Sequence, residues 1–359
     1  MRAAVMRNKK LVVDNIPVPE PGPGEVLVKT LACGICGSDL HTLKFAEKLV
    51  EGARRSGGVF VMDLNRDIVM GHEFCAEVVD YGPQTARAIK PGSRVCSMPV
   101  LVRSTGVETV GYSNDNPGGY AEMMRLTEGL LLPVPNGLST EHAALTEPLA
   151  VGYHAVQKAR LDRRDVPLVI GCGPVGLAVI AALKLEGAAP IVAADFSPRR
   201  RELAVQMGAD VVIDPKERSP YESWRDVAAD SNAPAPAAPW MAGPALRPAV
   251  IFECVGVPGV IEQIMQGAPR EARVVVVGVC MERDHFEPMF GINKELNVQF
   301  VLGYTGQEFA ATLNNIAEGR IPVEPLITGK VGVEGVARAF EDLGSPERHA
   351  KIIVEPWHA

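Results

Sequence analysis

The stretch VPLVIGCGPVGLAVIAALKL, residues 166–185, decides the fold. It opens on a short apolar run at 166–170, passes through Gly171, Gly173 and Gly176 at GxGxxG spacing, and continues as an apolar segment of helical length at 175–185. A buried strand, a tight glycine turn and a helix in that order form the first half of a βαβ unit. The first glycine permits the turn, the second lets backbone approach a pyrophosphate, and the third packs helix against strand. The helix N-terminus then offers free N–H groups to an anion. Gly171, Gly173, Pro174, Val175 and Gly176 are therefore candidates for holding a dinucleotide. Asp195 stands about twenty residues beyond Gly176, at the end of the next apolar run, where a carboxylate holds the ribose hydroxyls of the adenosine half. A carboxylate there repels a 2′-phosphate, so the expected cofactor is NAD rather than NADP. Arg199 and Arg200 follow closely, either as a solvated helix face or as acceptors of such a phosphate, and Arg200 is kept among the cofactor candidates.

Working outward, apolar runs at 166–170, 191–194, 211–213, 249–253, 273–279 and 298–302 alternate with helical stretches. This pattern predicts an α/β fold with a doubly wound parallel sheet. Upstream, residues 25–32 alternate apolar and polar after a turn-rich run at 19–24, so a β-rich domain begins the chain. After residue 302 the pattern becomes mixed and ends strand-like at 351–354, which reads as a tail rejoining the first domain. Two segments look inserted, 42–70 and the Ala/Pro-rich 232–248. The first contains a helical stretch at 44–55 with Phe45, Leu49 and Val50 at helical spacing; it is either a cover for a substrate cleft or a surface helix.

At 359 residues the chain exceeds what one hydrophobic core organises, and two domains are expected. A composition 47% hydrophobic and 22% charged is that of a soluble globular protein. The net charge of −7, with no basic concentration, excludes nucleic acid as the main partner. The longest apolar stretch, 174–183, is too short to span a bilayer, and residues 1–10 carry no export signal, so a cytoplasmic protein without a membrane partner is expected. In that setting the seven cysteines read as thiols or metal ligands rather than disulfides.

Cys33, Cys36, Ser38, Asp39 and His41 fall within one short segment, and Gly71, His72 and Glu73 follow across the first insertion. Thiolate, imidazole and carboxylate together make a zinc ligand set. A CxxC alone also suits a redox pair.

The motifs CGICGSDLH (33–41), GHEFCAEVV (71–79), EPLAVGYHA (147–155) and GCGPVG (171–176) resemble, in order and spacing, the zinc-containing medium-chain alcohol dehydrogenases. The sorbitol, threonine and butanediol dehydrogenase branch is the nearer one, because Glu147-Pro148 stands where liver-type enzymes place a third zinc cysteine. The resemblance implies a GroES-like catalytic domain at 1–152 and 304–359, around a Rossmann NAD-binding domain at 153–303. It implies a zinc-dependent oxidoreductase passing a hydride between a small secondary alcohol or polyol and NAD, with a ketone or aldehyde as the other product. Carried over, Cys36 and His72 are zinc ligands, Glu147 is a ligand or a swinging partner of the metal, and Glu73 is a direct ligand or lies just behind one. Asp39 fixes the His72 ring. Ser38 takes the alcohol proton and passes it through the ribose toward His41. Val255 and Val277 join the cofactor contacts, and Lys351 is assigned to the pyrophosphate.

Relatives often carry a second, structural zinc on four cysteines between positions 91 and 118, whereas here only Cys96 lies in that interval. One thiol cannot close a tetrahedral site, so one catalytic zinc per subunit and no structural zinc are expected. Cys75, Cys172, Cys254 and Cys280 are read as small core residues. The edge at 297–302 is expected to pair copies of the chain into a homodimer or homotetramer. Two rival readings are a zinc-free NADPH quinone or enoyl reductase, which lacks such ligands, and a non-enzymatic dinucleotide-binding protein, which has no use for them.

Overall fold

The computed structural model describes residues 1–135, 137–230 and 245–358. The chain forms two compact units, one of Met1–Pro148 with Thr305–Ala359 and one of Leu149–Tyr304. The crossing at Pro148 falls inside the helix Thr146–Ala159.

The first unit is built on a seven-stranded sheet in the order Ile327–Val331, Lys351–Val354, Glu25–Gly34, Glu73–Tyr81, Arg94–Cys96, Leu132–Pro133, with Met123–Thr127 also paired to Glu25–Gly34. Along Glu25–Gly34 the residues Val26, Val28, Thr30 and Ala32 are buried at every second position, the period at which a pleated strand presents one face to a core. Val26, Val28, Phe74, Met124, Leu126 and Ile352 meet in that core. Each such side chain taken out of water contributes about 1.5–3 kcal/mol. The terminal strand Lys351–Val354 runs antiparallel to Glu25–Gly34 with Val354 opposite Cys33, so the end of the chain lies beside the start of the CGICGSDLH motif.

That motif leads straight into a helix, Gly37–Ser56. The stretch at 44–55 is therefore not a separate element. It is the continuation of a helix whose first turn carries Ser38 and Asp39, with a break in helical geometry at Phe45 (φ −127°, ψ 28°). Asp39 starts the helix: its carboxylate accepts the Cys36 peptide N–H at 3.1 Å, satisfying one of the donors a helix start leaves open. Gly57, in the left-handed region at φ 73°, ends it.

The second unit holds a six-stranded parallel sheet in the order Val211–Ile213, Val192–Ala194, Val166–Ile170, Ala249–Glu253, Arg273–Val276, Asn297–Phe300. This is the doubly wound order in which the first strand lies centrally and its glycine turn opens at the switch point. The helix Pro174–Leu185 is buried from Gly176 through Leu183, as its unbroken apolar sequence requires. Trp224 closes one side of the core and donates its Nε1–H to the Val166 carbonyl at 2.9 Å. The last strand, Asn297–Phe300, is exposed along its whole length at the sheet edge. Of the Ala/Pro-rich loop at 232–248, residues up to 244 lie outside the described ones. Among the described residues no helix is long and apolar enough to cross a membrane.

Candidate active site and metal centre

Side chains that could hold a metal ion converge in the first unit, where the Cys36 sulfur, a His72 ring nitrogen and a Glu73 carboxylate oxygen all lie within 4.8 Å of one another. Cys36 caps the long helix, while Glu73 begins the strand that pairs with Glu25–Gly34. Gly71 turns the chain into His72 at φ 100°, and a Cβ there would lie 2.8 Å from both the ring and the peptide nitrogen of Tyr120. No other residue fits that position. One soft and one borderline donor plus a carboxylate, at a spacing a single ion can bridge, fit zinc. Glu147 is buried in the same unit but is not part of this close cluster.

Asp39 organises the surroundings of this cluster. It is fully buried, and its two oxygens collect Tyr112 Oη at 2.8 Å, Tyr120 Oη at 2.6 Å and the Cys36 peptide N–H, with His72 Nδ1 at 3.4 Å. The His72 contact has ion-pair distance without hydrogen-bond alignment. Burial alone pushes the Asp39 carboxyl upward, but the His72 charge and the hydrogen bonds from Tyr120 and Tyr112 outweigh it and hold the group below the ordinary aspartate range. The two tyrosines go the other way, raised well above the ordinary value by burial and then by the Asp39 charge, so both remain protonated donors. Ser38 Oγ lies 2.9 Å from Tyr112 Oη. His41, half-buried, follows Ser38 by three positions on the same helix, which places both on one face. Neither tyrosine carries a local sequence signal: each reaches Asp39 from a loop more than seventy residues away.

Lys351 departs from its expected role. It is only 2% exposed, and its ammonium contacts both Glu73 oxygens at 2.7 Å and the Ile35 carbonyl at 3.1 Å. Burial lowers the pKa of such an ammonium, but the Glu73 charge more than restores it, so Lys351 stays charged. All its donors face the first unit's own groups rather than a pyrophosphate. Cys33 is not part of the close cluster either; its thiol is fully buried and is held well above the ordinary value by burial and then by the Asp39 and Glu73 charges. Cys96 is a core thiol that donates to the Ala143 carbonyl at 3.2 Å. Cys75, Cys172 and Cys254 are buried as expected, but Cys280 is part-exposed beside the Glu282 carbonyl and is not a core residue. The interval 91–118, whose one cysteine is Cys96, holds a hairpin of Val100–Arg103 and Gly106–Thr109. Arg103 ties it to the buried Glu25 at 2.7 Å and to Glu108 at 2.7 Å.

In the second unit Gly171 has φ 90°, and a Cβ on Gly176 would sit 1.9 Å from the Gly171 carbonyl oxygen. Gly173 caps the helix Pro174–Leu185 and faces open space bounded by the Arg200 guanidinium at 3.8–4.0 Å. The turn and the free helix N-terminus together make an anion cradle. Asp195, 8% exposed, is held rigidly by the peptide N–H groups of Cys172 at 2.7 Å and Ser197 at 2.8 Å. Arg200 stands 3.8 Å from Asp195, and its Nε is buried without a partner, while Arg199 pairs outward with Glu202. Val255 is 39% exposed beside the glycine turn; Val277 is buried with its N–H bonded to the Glu253 carbonyl.

Known proteins agree with this geometry. Residues 174–318 match the zinc-binding dehydrogenase family and residues 22–136 the alcohol dehydrogenase GroES-like domain. The chain is 32% identical to (R,R)-butanediol dehydrogenase of Bacillus subtilis over 99% of its own length and 100% of that protein. It is 30% identical to sorbitol dehydrogenase of Bos taurus over 95% and 94% of the two chains. The crystal structure of 2R,3R-butanediol dehydrogenase from Bacillus subtilis superposes with a TM-score of 0.79, 30% identity and 99% coverage of both chains. A GroES-like unit carrying a cysteine, histidine and glutamate cluster, a doubly wound unit carrying a dinucleotide turn, and full-length relatives at this identity place the chain in the zinc-containing medium-chain alcohol dehydrogenase family, oxidoreductases that act on CH–OH groups and use zinc and a nicotinamide cofactor.

Proposed function

We propose that this chain interconverts a small secondary alcohol or polyol and its ketone, with NAD as the hydride carrier and one zinc ion per subunit. The observation that carries the reading is the convergence of Cys36, His72 and Glu73 beside Ser38. Cys36, His72 and a carboxylate, Glu73 or Glu147, would hold the metal. Zinc bound there supplies Lewis acidity that lowers the pKa of an alcohol, and the nicotinamide supplies the hydride chemistry. The protein's own groups do the rest: Asp39 orients His72, Ser38 accepts the alcohol proton, and His41 carries it onward. The butanediol and sorbitol dehydrogenases among the relatives support a secondary alcohol or polyol as substrate. Asp195 at the ribose position supports NAD, and a single cysteine in the structural-zinc interval supports one metal ion.

Copies of the chain pair through Asn297–Phe300 into a homodimer, alone or within a homotetramer. The apolar exposure of Phe300 (67%) and Leu302 (76%) at that sheet edge supports the assignment. Seven free cysteines support a cytoplasmic location. The test is metal content measured beside NAD and NADP reduction on a panel of secondary alcohols, polyols and primary alcohols. One zinc per chain, turnover with NAD on secondary alcohols, and loss of metal in Cys36→Ala and His72→Ala are expected. A zinc-free native protein that oxidises alcohols, or preference for NADP, defeats the reading.

A further inference from the structure

The proton on the Ser38 hydroxyl has a direction that hydrogen-bond accounting fixes. Tyr112 Oη lies 2.8 Å from Asp39 Oδ1 and 2.9 Å from Ser38 Oγ. A phenol carries one proton, and the carboxylate can only accept, so that proton belongs to the Asp39 contact. The Tyr112 oxygen is then an acceptor toward Ser38, and the Ser38 hydroxyl must be the donor. Its proton points at Tyr112, and its lone pairs remain for whatever approaches from the metal side. A serine hydroxyl left to itself rotates freely between donor and acceptor orientations. Tyr112 is also held from the other side. Phe60, from the first insertion, meets its ring edge-on at 5.4 Å between centroids, and the His72 ring lies 5.2 Å away. Only 7% of Tyr112 is exposed, so water does not compete for its hydroxyl.

We propose that Tyr112 is a positioning residue for the alcohol: before any proton moves it holds the Ser38 hydroxyl pointing at Tyr112, so that a bound alcohol meets Ser38 Oγ as a hydrogen-bond donor. The inference rests on the proposed role of Ser38. Tyr112 touches neither substrate nor cofactor in this scheme and acts only through Ser38, which makes the effect separable from general support of the fold. The first insertion thereby reaches Ser38 through Phe60 and Tyr112.

The experiment is a double-mutant cycle of Tyr112→Phe and Ser38→Ala in the zinc-loaded enzyme. The phenylalanine keeps the ring between Phe60 and His72 and removes only the hydroxyl. Three quantities are read: zinc content, kcat/KM for a secondary alcohol, and the dissociation constant of trifluoroethanol, an unreactive alcohol, for the NAD-bound enzyme. Tyr112→Phe is expected to keep zinc, to lower kcat/KM by about five- to tenfold, the order of one neutral hydrogen bond, and to weaken trifluoroethanol by a similar factor. In the Ser38→Ala background the same change should alter neither quantity further. Equal losses in both backgrounds, loss of rate that follows loss of zinc, or full activity of Tyr112→Phe beside a crippled Ser38→Ala overturns the role of Tyr112 alone. Full activity of Ser38→Ala overturns the serine relay and the tyrosine's role with it.

Discussion

Asp39→Asn is the substitution that most directly probes how the site is held. The amide has nearly the same shape as the carboxylate, but one of its oxygens becomes an NH2 group that cannot accept. In the native site one carboxylate oxygen serves Tyr112 at 2.8 Å and faces His72 Nδ1 at 3.4 Å, and the other serves Tyr120 at 2.6 Å and the Cys36 N–H at 3.1 Å. Whichever way the amide turns, two donors lose their acceptor. The Cys36 peptide cannot rotate, whereas the Tyr112 hydroxyl can turn toward Ser38. The NH2 group is therefore expected to face Tyr112 and His72. An orphaned buried donor costs about 1–3 kcal/mol, so with the Tyr112 hydroxyl relieved by rotation the substitution should destabilise the first unit by about 1–3 kcal/mol. The His72 ring loses the group that orients it, and zinc affinity should fall by about ten- to a hundredfold. Urea unfolding of the zinc-loaded protein measures the first quantity and competition with a chromophoric chelator the second. An unchanged unfolding midpoint together with an unchanged zinc constant would refute Asp39 as the organising acceptor.

Lys351→Met leaves Glu73, wholly buried, without its cation and should cost about 3–5 kcal/mol in the metal-free protein; Lys351→Met/Glu73→Gln should recover most of it in thermal unfolding. Asp195→Ala should weaken NAD about tenfold or more while leaving NADP little changed, read as KM for each cofactor, since it removes the ribose acceptor and the clamp on the Cys172 and Ser197 amides. Burial lowers the metal-free His72 pKa, but Asp39 and Cys36 outweigh it and raise it well above the ordinary imidazole value. Zinc must then displace a proton from the ring at neutral pH, so apparent zinc affinity should rise as pH rises from about 6 to about 8, with proton release on titration in weak buffer. Affinity independent of pH over that range contradicts the assignment of His72 as a ligand.

What could be seen in advance follows the range over which each constraint acts. The glycine turn, the six parallel strands and the clustering of Cys36 with His72 are legible because each depends on neighbours in sequence: a β period, a tight turn, a thiol and an imidazole beside strand ends. The helix start at Gly37 was hidden because CGSDLH reads as a catalytic motif, although Asp39 three positions after Cys36 is also what a helix cap requires. Tyr112 and Lys351 had no local signature at all. They meet Ser38 and Glu73 across 74 and 278 residues of chain. The resemblance alone assigned Lys351 to the pyrophosphate, and the strand register brings it to Glu73 instead. Val354 pairs with Cys33, and Gly34 pairs with Glu73, so three adjacent strands bring the Lys351 ammonium onto the Glu73 carboxylate. The strand Lys351–Val354 thus contributes to the candidate metal centre through Lys351 and Glu73. A frameshift or truncation that removes residues 351–354 should lower zinc retention while leaving the dinucleotide turn, which belongs to the other unit, able to bind NAD.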